Sequence, residues 1–190
     1  MLTERVVILG ALTLTCACSG ARLPAAAAAD ARDADRPRRA ELVEVARILA
    51  KNGDRVRAAQ YLTLAQRQGV PARTVIPSLI ALYTADAQYR LAIDAAESYL
   101  RRQPNDHRIR SCLGALYVAV DATSDAIRTY ETLVQESPDD AEAHFALASL
   151  LNDASASRVR ADAHYRSYLA LAPAGRYAEE ARAKLLKELP

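Results

Sequence analysis

The chain has 190 residues, 51% of them hydrophobic and 25% charged, with a formal net charge of +2. That length allows one domain or a short array, and the apolar fraction is enough for a packed core. Charge so near balance leaves no electrostatic footprint for nucleic acid, which is excluded as an expected partner. Three cysteines, Cys16, Cys18 and Cys112, make no even set for a disulfide framework, and Cys16 and Cys18 lack thioredoxin-like spacing. Cys112 reads as a small buried hydrophobe in mid-helix.

The chain opens with a free amine and Arg5, followed by the apolar run Val6–Ala17. The run has signal-peptide length and is too short to span a bilayer as a mature helix. The stretch from Thr13 to Gly20, TLTCACSG, resembles a bacterial lipobox. Ala17 suits the position before the cut, so the resemblance implies that residues 1–17 are a signal and that Cys18 carries the lipid. Thr15 departs from the pattern, where leucine is usual. Cleavage after Ser19-Gly20-Ala21 is the competing reading, since it fits an A-x-A-like site. Ser19 after the cysteine resembles lipoproteins sent on to the outer membrane. Arginine in excess over lysine and abundant alanine fit a high-GC bacterial genome. Residues 18–38 carry an alanine run with Asp30, Arg32, Asp33, Asp35, Arg36 and Pro37 and no apolar period. They are expected to be a disordered tether that gives reach between lipid and domain.

Residues 39–72 form the first of four helix–turn–helix units. Leu42, Val45, Ala46 and Leu49 recur at helical spacing, Asn52-Gly53-Asp54 marks a turn, and Ala58, Leu62 and Ala65 supply a second helical face. Gly69-Val70-Pro71 stops that helix. The second unit, 73–106, contains Pro77. Proline is tolerated in a first turn, which predicts a helix starting near Ile76. The third unit, 107–140, places Leu113, Gly114 and Tyr117 on one helix against Ala126, Ile127, Tyr130 and Leu133 on the next. Gly114 and Ala126 are expected to let the two backbones approach, with the tyrosines filling the space beyond the crossing. Pro138 closes the unit, and Asp139 and Asp140 offer caps to the following helix. The fourth unit is 141–174. Residues 175–190 read as an amphipathic capping helix, with Tyr177, Ala178, Ala181, Leu185 and Leu186 among charged residues.

Leu79, Leu113 and Leu147 are evenly spaced, and Ala58, Ala92 and Ala126 keep the same interval. Pro104-Asn105-Asp106 returns one interval later as Pro138-Asp139-Asp140. Ala161, Tyr165, Tyr168 and Pro173 follow Ala126, Tyr130, Leu133 and Pro138 at an interval longer by one, which places a single inserted residue in the Asp153–Ser157 turn. The pattern resembles the tetratricopeptide repeat (TPR) of bacterial TPR lipoproteins, whose period of about 34 residues it shares. The resemblance implies an all-α solenoid of four repeats plus a C-terminal capping helix, with the first helix of each repeat lining a concave groove. Side chains implied to face that groove are Arg47, Lys51, Ala81, Thr84, Arg108, Ala115, Val118, Phe145, Ser149 and Asn152. Arg47 and Arg108 could meet carboxylates, and Phe145 is expected to be an apolar anchor. The carboxylate clamp of chaperone-binding TPR domains is missing, since Val43, Pro77 and Ser111 stand at inward positions.

No catalytic or metal motif is present. His107, His144 and His164 are the only histidines and no two share helical spacing. His144 is expected to serve packing. Phosphate-cradling and nucleophile-elbow motifs are absent, so no cofactor is implied. The resulting expectation is a non-catalytic, lipid-anchored scaffold in the bacterial cell envelope, facing the periplasm from the outer membrane and holding a protein partner. TPR lipoproteins of this kind resemble pilotins of type IV pili and other envelope-assembly factors. The alternatives are an accessory domain of an envelope enzyme and a self-assembling structural protein.

Overall fold

The computed structural model of the chain describes residues 36–153 and 157–186. The expected signal, Cys18 and nearly all of the tether lie outside them. Among the described residues the chain is helical, without strands: α1 Arg36–Lys51, α2 Arg55–Arg67, α3 Ala72–Ala85, α4 Tyr89–Leu100, α5 His107–Ala119, α6 Thr123–Glu136, α7 Ala141–Asp153, α8 Arg158–Leu171 and α9 Ala178–Lys184. Helices α3 and α4, α5 and α6, and α7 and α8 pack as hairpins; α2 packs on α3, α4 on α5, α6 on α7, and α9 closes on α8.

The hairpins share one turn chemistry. Gly53, Ala87 and Asp121 stand at the repeat interval and all have left-handed backbones, with φ of 82°, 54° and 59°. In each case the next residue's N–H reaches back to a carbonyl in the last turn of the first helix: Asp54 to Leu49 (2.9 Å), Gln88 to Tyr83 (2.8 Å) and Ala122 to Tyr117 (2.9 Å). This is a Schellman closure, which satisfies the last carbonyls of the first helix and reverses the chain. Only the first copy uses glycine, the residue that adopts this conformation without steric cost. Helix α7 ends at Asp153 and α8 begins at Arg158, a separation one residue longer than that between α5 and α6. Aspartates start α2, α5 and α7, whereas α4 and α6 begin without a side-chain cap. Asp54 accepts from the Arg57 amide (3.1 Å), Asp106 from Ile109 (3.2 Å) and Asp140 from Ala143 (3.0 Å).

The helix crossings rest on small residues. Ala58, Ala92 and Ala126 are completely buried. Gly114 has a different role from the one expected. A Cβ added there would lie 2.7 Å from the ring of Tyr130, so the missing side chain admits an aromatic ring and not a backbone. Tyr130 is in turn buried deeply enough for its phenol pKa to be pushed up to about 12, and its hydroxyl donates to the Ser111 carbonyl.

Three further expectations need correction. Helix α3 begins at Ala72, not near Ile76, so Pro77 lies inside it and not in its first turn. Proline removes the amide that would bond the Arg73 carbonyl, a loss of about 3 kcal/mol in a helix interior. Burial of Val75, Ile76, Leu79 and Ile80 along the opposite stripe outweighs it. Cys112 is exposed, because Ile109, Leu113 and Leu116 take the buried stripe of α5. The terminal helix is also shorter than expected. It ends at Lys184, and Leu185 turns extended (ψ 141°), because the Leu186 amide donates to the buried Asp162 carboxylate (2.8 Å) and does not continue the ladder.

Two outcomes test this account. Ala87→Gly removes left-handed strain and should raise stability by roughly 0.5–1 kcal/mol in urea titration, net of the extra freedom of the unfolded chain. Gly114→Ala should cost about 1–3 kcal/mol by overpacking against Tyr130; an unchanged melt would show that the ring moves aside freely.

Candidate partner-binding groove

Helices α1, α3, α5 and α7 are the first helices of the four helix–turn–helix units. Helix α1 contributes one fully buried side chain among its described residues, Ala46, whereas α3 contributes four. Ala46 and Ala50 from α1 and Ala81 from α3 are too short to fill the space between these helices. A cleft of about 310 Å³ results, walled by Val43, Ala46, Ala50, Leu62, Ala81 and Leu82, with Arg47 and Ser78 as its polar members. Arg47 donates twice to Glu44, through Nε to Oε2 (2.9 Å) and Nη2 to Oε1 (2.5 Å). The hydrogen-bonded guanidinium holds the Glu44 carboxyl below its usual range. Both side chains are more than half exposed, so water screens the pair and an incoming carboxylate can replace Glu44 at little cost.

The remaining expected groove residues are dispersed. Lys51 is exposed in the last turn of α1. Thr84 uses its hydroxyl on its own helix, donating to the Ile80 carbonyl at 2.7 Å. Arg108 is exposed and forms no hydrogen bond or ion pair among the described residues. It borders a second cleft of about 420 Å³ with Tyr99 and residues 103–107. Val118 is 45% exposed and Asn152 half-buried. Of the expected set, only Arg47 and Ala81 meet in one cleft.

Phe145 is not the open anchor expected. It is 9% exposed, and its ring is stacked on Tyr177 with centroids 4.1 Å apart and planes at 5°. Tyr165 and Tyr168 close the other sides. Arg176 holds the cover in place, pairing with Glu142 at 2.9 Å and lying 4.5 Å above the Tyr177 ring. The chain's own C-terminal segment therefore occupies this position of α7. It arrives from beyond the whole of α8 and is invisible to any local pattern.

Two polar clusters escape the linear reading because their members come from different helices. Ser137 bonds His107 Nδ1, but His107 Nε2 stands 3.6 Å from Glu136, beyond hydrogen-bond reach. Arg110 takes that carboxylate at 3.0 Å. The serine and histidine thus fasten the end of α6 to the start of α5, and no acid orients the imidazole as a base. The second cluster joins His144 and His164. His144 Nε2 donates to the Pro138 carbonyl (3.2 Å), which leaves its Nδ1 as an acceptor for His164 Nδ1–H at 3.0 Å. The ring centroids are 5.2 Å apart and the planes tilted by 37°. Among the described residues no group of three or more histidine, cysteine or acidic side chains could hold a metal.

Burial, and then the charge that His144 would carry, push the His164 pKa below its ordinary 6.5, with Arg160 adding to the depression and Glu131 opposing it. The folded state therefore prefers neutral His164. Its contribution is full above the unfolded value and is lost as pH falls through the folded one. The melting temperature should fall between about pH 7 and pH 5, and His164→Gln should flatten that slope. A slope identical in wild type and variant would dismiss the pair as its source.

No protein-family model and no curated protein matches the chain. Solved structures do. A tetratricopeptide repeat protein from Parabacteroides merdae superposes with a TM-score of 0.71 at 21% identity, covering 77% of this chain and 58% of that one. The chain thus spans less than two thirds of that protein's length. MamA from Desulfovibrio magneticus gives 0.61 at 20% identity, over 73% and 77% of the two chains. YrrB, described as a TPR protein with an unusual peptide-binding site, gives 0.59 at 20% identity, over 77% and 80%. At such identities the likeness is one of fold. With the repeating register of its turns and crossing alanines, the chain has the all-α solenoid fold of these tetratricopeptide-repeat structures.

Proposed function

We propose that the chain is a non-catalytic adaptor that holds a segment of a partner protein on its first-helix face. The observation that carries this reading is the aliphatic cleft between α1 and α3, open to solvent and bordered by Arg47. An apolar recess with few polar groups is the usual form of a recognition site. The peptide-binding site of YrrB, a protein of the same fold, supports the same class of partner. The N-terminal sequence adds a lipid at Cys18, which would anchor the adaptor in the cell envelope and serve envelope assembly. Anchoring by more than one acyl chain holds stably, at roughly 0.8 kcal/mol per buried methylene.

Ala81 is exposed within the cleft, so Ala81→Trp can fill it without disturbing the core. The variant should keep its helical circular dichroism and lose at least tenfold in capture of an envelope partner; undiminished capture would move the site off this face. Cys18→Ser should shift the protein from the detergent phase to the soluble fraction. Retention of Cys18→Ser with release of Cys16→Ser would reassign the acceptor to Cys16.

A further inference from the structure

We infer that the α1–α3 cleft selects an acidic amphipathic helix of the partner, one that inserts two apolar side chains a turn apart. The inference rests on the adaptor reading and names the partner class that its groove takes. Volume supports two anchors: a cavity of about 150 Å³ admits one benzene ring, and this cleft offers about 310 Å³. Its lining on α1 runs from Val43 to Ala50, two turns or about 10 Å of helix. A partner helix laid along it would present side chains at i and i+4, about 6 Å apart, within that length.

Charge identifies the flanks of that helix. The whole chain carries a net +2, yet helices α1, α3 and α5 together hold eight arginines and lysines against two glutamates; of the eight, Arg110 is engaged by Glu136 of α6 and Arg39 is also engaged. Helix α7 reverses the sign, with Glu142 and Asp153 and neither arginine nor lysine. On the first-helix face Arg47 is bound only to an exposed glutamate, Arg108 has no partner among the described residues, and Lys51 is exposed. Carboxylates beside the two apolar anchors would meet Arg47 in the cleft wall and, one turn beyond it on α1, Lys51. Those contacts are charge-assisted, with Arg47 able to bind bidentately.

Two synthetic helical peptides, identical in length, test this by titration calorimetry against the full-length chain. Both carry leucines at i and i+4 in an alanine–glutamine background; one flanks them with Glu, the other with Lys. The Glu peptide should bind at least tenfold more tightly, weaken with added salt, and lose most of its affinity when its leucines become alanine. Arg47→Glu should abolish or invert the preference without changing the circular dichroism, and Ala81→Trp should prevent binding of either peptide. Equal affinity of the two peptides, indifference to Arg47→Glu, or full displacement of the Glu peptide by decanoate at equal concentration would overturn the inference. If the peptides show no preference while Ala81→Trp still blocks capture of the envelope partner, only the acidic-helix assignment falls. If Ala81→Trp affects neither, the adaptor reading of this groove falls with it.

Discussion

Each helical pair in the chain depends on how closely its two backbones can cross, and alanine sets that distance. Ala58, Ala92 and Ala126 have no exposed surface, and Ala161 has 2%. A larger residue at any of them would separate the helices and carry the error into the next hairpin, because α2, α4 and α6 each pack on the helix that follows. Around the crossings the tyrosines supply bulk. Tyr130 fills the gap over Gly114, Tyr99 ties its hydroxyl to the capping Asp106 at 2.8 Å, and Tyr165 and Tyr168 build the last hairpin. Small residues set the spacing and large ones fill what the spacing leaves, which keeps the density of the interior close to that of a crystal.

The two ends of the array are treated differently. At the C-terminal end α9, Tyr177 and the extended Leu185 seal the last hairpin. Asp162, almost wholly buried, carries much of that seal. Arg166 donates to it at 2.6 Å and the Leu186 amide at 2.8 Å, and together they hold its carboxyl below the usual range. A buried carboxylate is stable only with such partners. At the N-terminal end α1 has Ala46 as its one fully buried described side chain, with an aliphatic cleft beside it. The sparse burial of α1 leaves apolar surface open there.

The two ends also differ in charge. Phe145 and Glu142, which could have extended the groove along α7, are covered by Tyr177 and paired with Arg176. The open aliphatic cleft lies at the other end of the array, between α1 and α3 beside Arg47.

Much of the fold was legible in linear order because a repeat writes the same physical requirement once in every unit. Ala58, Ala92 and Ala126 return at one interval in the sequence, as do Pro104 with Pro138 and Asp106 with Asp140, and local hydrogen bonds and steric size are enough to give them meaning. The left-handed turn was half visible. Gly53 marked it, but Ala87 and Asp121 adopt the same conformation without the residue that advertises it, since the Schellman bonds and the packed helices on both sides outweigh the local strain. Pro77 pointed to a later helix start for a similar reason: local chemistry spoke against helix, and the buried stripe of α3 overrode it. The site was less legible. Arg47 and Ala81 could be assigned to one face from the repeat register. Whether Phe145 would be open, whether His144 would find His164, and whether α1 would close on α3 depend on side chains brought together from separate helices. The sequence by itself determined the repeating local contacts, whose cause lies within a turn or two of chain. Tertiary structure decided which surfaces stayed uncovered, because that depends on volumes left between helices whose lining residues are distant in the chain.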